Sequence, residues 1–403
     1  MIAFRRLVFA VSLGSLVLAA GCAGAGGGAT ALPAGPQMQS AGVQPQSAGV
    51  QTQSVASLPV ATPTPSGPAA LGRYAIDPRK IYVAGISSGG FFAVQMQVAH
   101  SATIHGAAIY AGGVYYCALD SVGTALLACG GETVNGQALY ASTLAESETY
   151  LDAQSKLGTI DNESNLRGQP VYLWSGTQDE VVNPKEMADL HAEYEHYGAR
   201  IVRFDNAFPA EHGWESPDGE LACGTLGEPY MIACNAGAKP YDSEAVWMSA
   251  FFGRLAPRNG HALQGTLINF DQTAFGASPT TNSMDTNGYV YVPRACASRG
   301  RDRDDDRGRH DADDGCGLVV AFHGCQQTQA DIGTKFVTES GIDEWADTNR
   351  VVVLYPYAVR STAPIVNPQG CWDWWGYDDP NYSTKSGTQI SIVYKMVQRL
   401  TGQ

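Results

Sequence analysis

Charge is scarce in this sequence. Only 16% of the 403 residues are Asp, Glu, Lys or Arg, against ~25% in ordinary soluble domains. Bases are scarcer still, 25 against 39 acids, a formal net charge of −14. Binding a phosphate backbone needs clustered Lys and Arg to displace counterions, so nucleic acid is excluded as a partner. A comfortable membrane span is missing too. The apolar run at 7–20 is too short, and no other segment is both long and apolar enough. Hydrophobic residues are plentiful at 44%, which supplies a large core and excludes wholesale disorder. So are cysteines: nine is many for a cytosolic protein and odd for a secreted one.

The N-terminus points to an oxidising compartment. Arg5 and Arg6 precede the apolar run, and small residues follow up to Cys22, the pattern of a secretory signal peptide over 1–22. The small residues before Cys22 resemble a bacterial lipobox, with Ala19 where Leu is usual, which would make Cys22 a lipidated N-terminus and membrane tether. The alternative is cleavage nearby that discards Cys22. From 7 to 72 there is no charged residue, and QSAGVQ occurs twice, at 39–44 and 46–51. Such Gly, Ala, Pro and Gln-rich composition cannot offset its conformational entropy by burial, so 23–72 reads as a disordered tether.

Residues 73–403 alternate between strand-like and helix-like segments. Apolar β-type runs lie at 81–85, 107–110, 171–174, 201–204, 289–292, 318–322 and 351–355. Helical stretches lie at 90–99, 186–198, 243–255, 338–348 and 390–400. Continuous apolar strands interleaved with helices predict a single α/β domain whose mostly parallel sheet is covered on both faces. The mixed-charge stretch at 299–314 reads as a solvated insertion, because its arginines compete with any cation for its aspartates.

The strongest chemical signal is Gly85-Ile86-Ser87-Ser88-Gly89, between a strand and a helix. A G-x-S-x-G elbow needs that context, since its serine sits on a strained strand-to-helix turn. A nucleophilic serine needs a base, and the base needs an orienting carboxylate, in the order Ser, acid, His in α/β-hydrolases. Asp179 follows the strand-like run at 171–174, with Glu180 as rival acid; His212 follows the run at 201–204. His191 and His196 fall in a helix and His310 in the insertion, while His100, His105 and His261 stand out of order. One oxyanion-hole amide is that of Ser88, the residue after the nucleophile. The second normally comes from a loop upstream of the serine, but only about eight domain residues precede this elbow strand. His323-Gly324-Cys325, far downstream, is the candidate, with Cys325 offering its amide. The helix, strand and final helix behind it are units that usually precede the elbow, so the order reads as a circularly permuted α/β-hydrolase.

The ordered set GISSGG (85–90), SGTQDEVVNP (175–184), EHGW (211–214), VAFHGCQQT (320–328), DEWADTNRVVVLYP (343–356) and NPQGCWDWWGY (367–377) resembles the secreted poly(3-hydroxybutyrate) depolymerases. The resembling type carries its oxyanion cysteine after the lipase box. The resemblance implies a serine esterase that cuts polyester or oligoester chains without metal or other cofactor. It assigns Ser87 as nucleophile, Asp179 as acid, His212 as base, and the Ser88 and Cys325 amides as the oxyanion hole. Trp372, Trp374 and Trp375 would wall an apolar crevice, with Tyr115 and Tyr116 weaker candidates, although core packing is the rival reading for at least one tryptophan. Many members carry a separate polymer-binding module after the catalytic domain; none is expected from this sequence, so soluble oligomers or amorphous polymer are expected substrates, and a monomer is the expected state. Other readings stay open: a hydrolase of small acyl esters or of a polyamide such as poly(aspartic acid), and a tethered lipoprotein that binds a ligand without catalysis. The acidic balance disfavours a polyanionic substrate.

With Cys22 set aside, eight cysteines remain, which allow 105 connectivities. Neighbour order suggests 117–129, 223–234, 296–316 and 325–371. The third pair would clamp the base of the insertion, and the last would tie the oxyanion loop to the tryptophan cluster.

Overall fold

The computed structural model describes residues 67–131, 133–134, 137–138, 140–297 and 315–403. The signal segment, Cys22, the tether up to 66 and the insertion at 299–314 lie outside the described residues.

Eight strands form the main sheet: β1 (Ile76–Ile86), β2 (Ala107–Tyr110), β3 (Pro170–Trp174), β4 (Arg200–Asp205), β5 (Thr266–Asp271), β6 (Asn287–Val292), β7 (Cys316–Phe322) and β8 (Val351–Tyr355). Their order is β5-β6-β8-β7-β1-β2-β3-β4. From β8 to β4 every neighbouring pair is parallel, while β5 and β6 add an antiparallel edge. Six helices matter most: α1 (Ser88–Ala99), α2 (Leu144–Leu157), α3 (Pro184–His196), α4 (Ser243–Phe252), α5 (Ile342–Asn349) and α6 (Thr388–Thr401).

Side chains alternate across the pleat, so each parallel strand feeds two cores. Val83, Ile109, Leu173, Val320 and Leu354 meet Phe92 and Met96 of α1, Leu190 of α3 and Val393 of α6. Tyr82, Tyr110, Trp174, Ala321 and Val353 meet Trp247 and Phe251 of α4 and Ile342 of α5 on the other face. This double covering is why the strands read as unbroken apolar runs. The expected helix at 338–348 is divided: Lys335–Glu339 ends before Gly341, whose φ of 77° breaks the helical path before α5.

The first strand, β1, lies at the centre of the sheet, and α6 packs back against it. The Tyr74 amide donates to the Leu400 carbonyl at 2.9 Å, and Arg399 Nε donates to the Leu71 carbonyl at 2.8 Å. The helix that closes the chain thus abuts the strand that leads into the elbow, as a permuted order requires. The fold also takes in residues that composition assigns to the tether. Ala69 donates to the Asn269 carbonyl and accepts from the Asp271 amide, both at 2.9 Å, so it pairs with the edge strand β5, and Leu71 is buried.

The four disulfides join Cys117 to Cys129, Cys223 to Cys234, Cys296 to Cys316 and Cys325 to Cys371. These are the pairs that neighbour order suggests. Among the described residues no helix is long and apolar enough to cross a membrane.

Candidate active site

Ser87 lies where β1 turns into α1, with φ 57° and ψ −127°, a strained conformation for a residue with a side chain. The flanking glycines make that turn feasible. A Cβ on Gly85 would stand 2.1 Å from the Gly89 carbonyl oxygen, and one on Gly89 would stand 2.4 Å from the carbonyls of Phe322 and His323. The turn is held by the Ser87 amide donating to the Tyr110 carbonyl at 2.9 Å.

Asp179 and His212 sit in the loops after β3 and β4, at the same carboxyl edge. His212 Nδ1 lies 2.9 Å from Asp179 Oδ2. The other carboxylate oxygen of Asp179 accepts from the amides of Val181 and Val182 at 2.9 and 2.8 Å. Both side chains are nearly fully buried, at 1% and 4% exposure, which strengthens their interaction. Glu180 is exposed and makes no hydrogen bond or ion pair with His212 among the described residues; its amide donates to Glu211. Burial pushes the Glu211 carboxyl up from the ordinary range, although the His212 and Glu180 amides pull it down. Among the described residues no hydrogen bond joins the Ser87 hydroxyl to His212, a bond that often tightens only once substrate is bound.

The loop after β7 lies against the elbow: a Cβ on Gly324 would stand 3.2 Å from the Ser87 Cβ. Cys325 is the next residue, and among the described residues its amide donates to no internal acceptor. The Ser88 amide opens α1, where the first N–H groups have no intrahelical partner. Two amides beside one serine hydroxyl suit a developing oxyanion. Tyr230, at a φ of 58°, stands between the halves of the site. Its ring meets His212 edge-on at 6.2 Å, and its hydroxyl donates to Gln326 at 3.5 Å. Sequence reasoning missed Tyr230, as it missed Gln326 and Gln327. For the glutamines the signal was their place inside VAFHGCQQT; Tyr230 sits in a loop without a motif.

The expected aromatic wall is partly corrected. Trp372 is fully buried, packed between Phe92, Phe322 and His323 with ring centroids 4.7, 5.2 and 5.4 Å away. Tyr115 is fully buried as well, its hydroxyl donating to the Ser383 carbonyl at 2.7 Å. Neither can face a substrate, because large apolar rings next to the central strands fill the core instead. Trp374 and Trp375 stay partly exposed, Trp374 stacked on Phe91 of α1 at 4.2 Å and Trp375 edge-on to Trp374. Tyr116 is partly exposed and stacked on Tyr150. Among the described residues no cluster of His, Cys, Asp or Glu is arranged to hold a metal ion.

No protein-family model matches this chain. It is 38% identical over 329 residues to a poly(3-hydroxybutyrate) depolymerase of Delftia acidovorans, a match that covers 81% of this chain and 60% of that protein. It is 30% identical over 345 residues to a polyhydroxybutyrate depolymerase of Talaromyces funiculosus, covering 82% of this chain and 92% of that one. The crystal structure of the PHB depolymerase from Penicillium funiculosum superposes with a TM-score of 0.71 at 30% identity, covering 83% of this chain and 99% of that one. A serine-to-alanine PHB depolymerase complexed with an R3HB trimer aligns with the same score at 29% identity and the same coverage.

Proposed function

The chain belongs to the polyhydroxybutyrate depolymerase family, and from that premise we propose that it is an exported serine esterase hydrolysing poly(3-hydroxybutyrate) or its oligomers. The observation that carries the reading is the Asp179–His212 contact of 2.9 Å at the same sheet edge as the strained Ser87 elbow. His212 takes the Ser87 proton on Nε2 as the hydroxyl oxygen attacks the ester carbonyl. The Ser88 and Cys325 amides receive the oxyanion. As the tetrahedral intermediate collapses, the ester C–O bond breaks and the leaving alkoxide takes the proton from His212. Water, deprotonated by the same His212, then cleaves the acyl-enzyme, releasing the acid and restoring Ser87. Asp179 keeps the His212 proton on Nδ1, so Nε2 faces the serine.

Export belongs to the proposal. Four disulfides need an oxidising compartment, and the N-terminal pattern with Cys22 fits a lipid-anchored or secreted protein. Partly exposed Trp375, three residues beyond Trp372 whose amide donates to Ser88 Oγ, fits an apolar substrate unit better than a polyanion, as does the net negative charge. The test compares release from poly(3-hydroxybutyrate), short p-nitrophenyl esters and poly(aspartate) by wild type and Ser87→Ala. Polyester and short-ester hydrolysis that disappears in Ser87→Ala is expected. Undiminished turnover in that variant would end the assignment.

A further inference from the structure

The loop after β7 carries side chains that this scheme leaves without a task. Both polar backbone groups of Gly324 are held by side chains. Its amide donates to Gln327 Oε1 at 2.6 Å, and its carbonyl accepts from His323 Nδ1 at 2.7 Å. His323 Nε2 accepts from the Ala358 amide at 3.1 Å, so the ring proton resides on Nδ1. Burial holds the ring down at about 4, which keeps it neutral. Gln327, 1% exposed, extends the clamp, since its Nε2 donates to the Pro229 carbonyl at 2.8 Å. Pro229 precedes Tyr230, whose carbonyl accepts from the Trp214 amide at 2.8 Å, two residues beyond His212. One buried amide side chain therefore joins the oxyanion loop to the Pro229–Tyr230 segment, which is itself bonded to the strand after His212.

The Gly324 carbonyl and the Cys325 amide belong to one peptide unit. A trans peptide is planar, with its C=O and N–H pointing in opposite directions. Fixing that carbonyl aims the Cys325 N–H, and Gln327 fixes the preceding peptide. We propose that Gln327 is a positioning residue for ester hydrolysis: it locks Gly324 so that the Cys325 amide faces the oxyanion, and it ties that aim to the His212 loop through Pro229. The inference rests on the active-site reading above. Only a group with both a donor and an acceptor can hold Gly324 N–H and Pro229 C=O at once. Leu supplies neither, and Glu supplies both only while protonated.

The experiment measures p-nitrophenyl butyrate hydrolysis from mildly acidic to mildly alkaline pH for wild type, Gln327→Leu, Gln327→Glu and Ser87→Ala. Wild type and the Gln327 variants are normalised to serine sites labelled to completion by a fluorophosphonate. Gln327→Leu should label fully, while kcat per site falls ~10–10²-fold and KM stays within about twofold, because the misaimed amide acts only in the transition state. Gln327→Glu should keep most activity at acid pH and lose it as its carboxyl ionises, a limb absent from wild type. Wild-type kcat per site in Gln327→Leu would overturn the inference. So would a loss carried wholly by KM or by fewer labelled sites, or a Gln327→Glu profile that follows wild type. If Gln327→Leu does not fold, the Gln327→Glu profile decides. Turnover persisting in Ser87→Ala overturns the active-site reading and this inference together. Ser87-dependent turnover indifferent to Gln327 overturns this inference alone.

Discussion

Asp179 and Glu180 are neighbouring carboxylates of nearly identical chemistry, and the turn of one loop separates them. Asp179 is oriented by the Val181 and Val182 amides and reaches His212, whereas Glu180 faces solvent. Asp179→Asn would put an amide against His212 Nδ1 and favour the wrong tautomer. It should lower kcat for a short acyl ester ~10³–10⁴-fold with the protein folded. Glu180→Gln should leave kcat essentially unchanged, and equal losses in the two variants would contradict the pairing. The order of residues along the chain was enough to point to Ser87 and His212 and to narrow the acid to Asp179 or Glu180, because each follows a strand-like run. The aromatics were not separable in that way. Trp372 and Trp375 stand three residues apart in one motif, yet only the packing against Phe92 and Phe322 puts the first inside.

The elements that sequence made legible are those buried on both sides. β1, β2, β3, β7 and β8 announce themselves as apolar runs because both of their faces are covered. β5 was missed because it is an edge strand whose first two residues are exposed. α2 was missed because Ser147 and Leu151 are its only buried residues, so almost no apolar stripe marks it. The oxyanion loop lay in between: its motif was visible, but the clamp on Gly324 depends on the loop's own His323 and Gln327 being anchored to backbone groups of two distant loops, at Ala358 and Pro229. The Cys325–Cys371 bond is the covalent part of that support, closing a sequence separation of 46 residues. Removing it in a Cys325→Ala/Cys371→Ala double variant should lower unfolding free energy by about 4 kcal/mol in the chain-entropy model. The Cys325 backbone amide survives that change, so kcat should fall but not vanish. Urea unfolding and ester kinetics read the two effects separately. An unchanged kcat would show that the hydrogen-bonded clamp alone holds the loop.

At the scale of the whole molecule, the feature that stands out is how many acids are buried with no cation beside them among the described residues. Glu186 and Glu193 of α3 accept from the Val114 and Tyr115 amides, Glu244 accepts from Trp214 Nε1, and Asp343 accepts from the Tyr355 hydroxyl. Asp373 accepts from four amides of its own loop. Burial raises all of them: Glu193 and Glu215 to about 8, Asp373 to about 7, and Glu186, Glu244 and Asp343 well above the usual range. With acids outnumbering bases 39 to 25, ionising these groups inside the fold would meet like charges as well as a poor solvent. Because the folded state holds these protons more tightly than the unfolded chain, their contribution is fully present below the unfolded value of about 4.5 and lost as pH rises through about 8. Asp77, lowered by its bond to Arg79, works in the opposite sense at acid pH below the ordinary carboxylate range, and His100 and His323, held down to about 4 by burial, offset part of the decline below the ordinary imidazole value of 6.5. Unfolding free energy measured by urea should therefore decline steadily from mildly acidic to mildly alkaline pH. Glu193→Gln keeps an acceptor for the Tyr115 amide and cannot ionise, so it should flatten part of that decline. A slope identical to wild type would mean that Glu193 is not among the groups that set it.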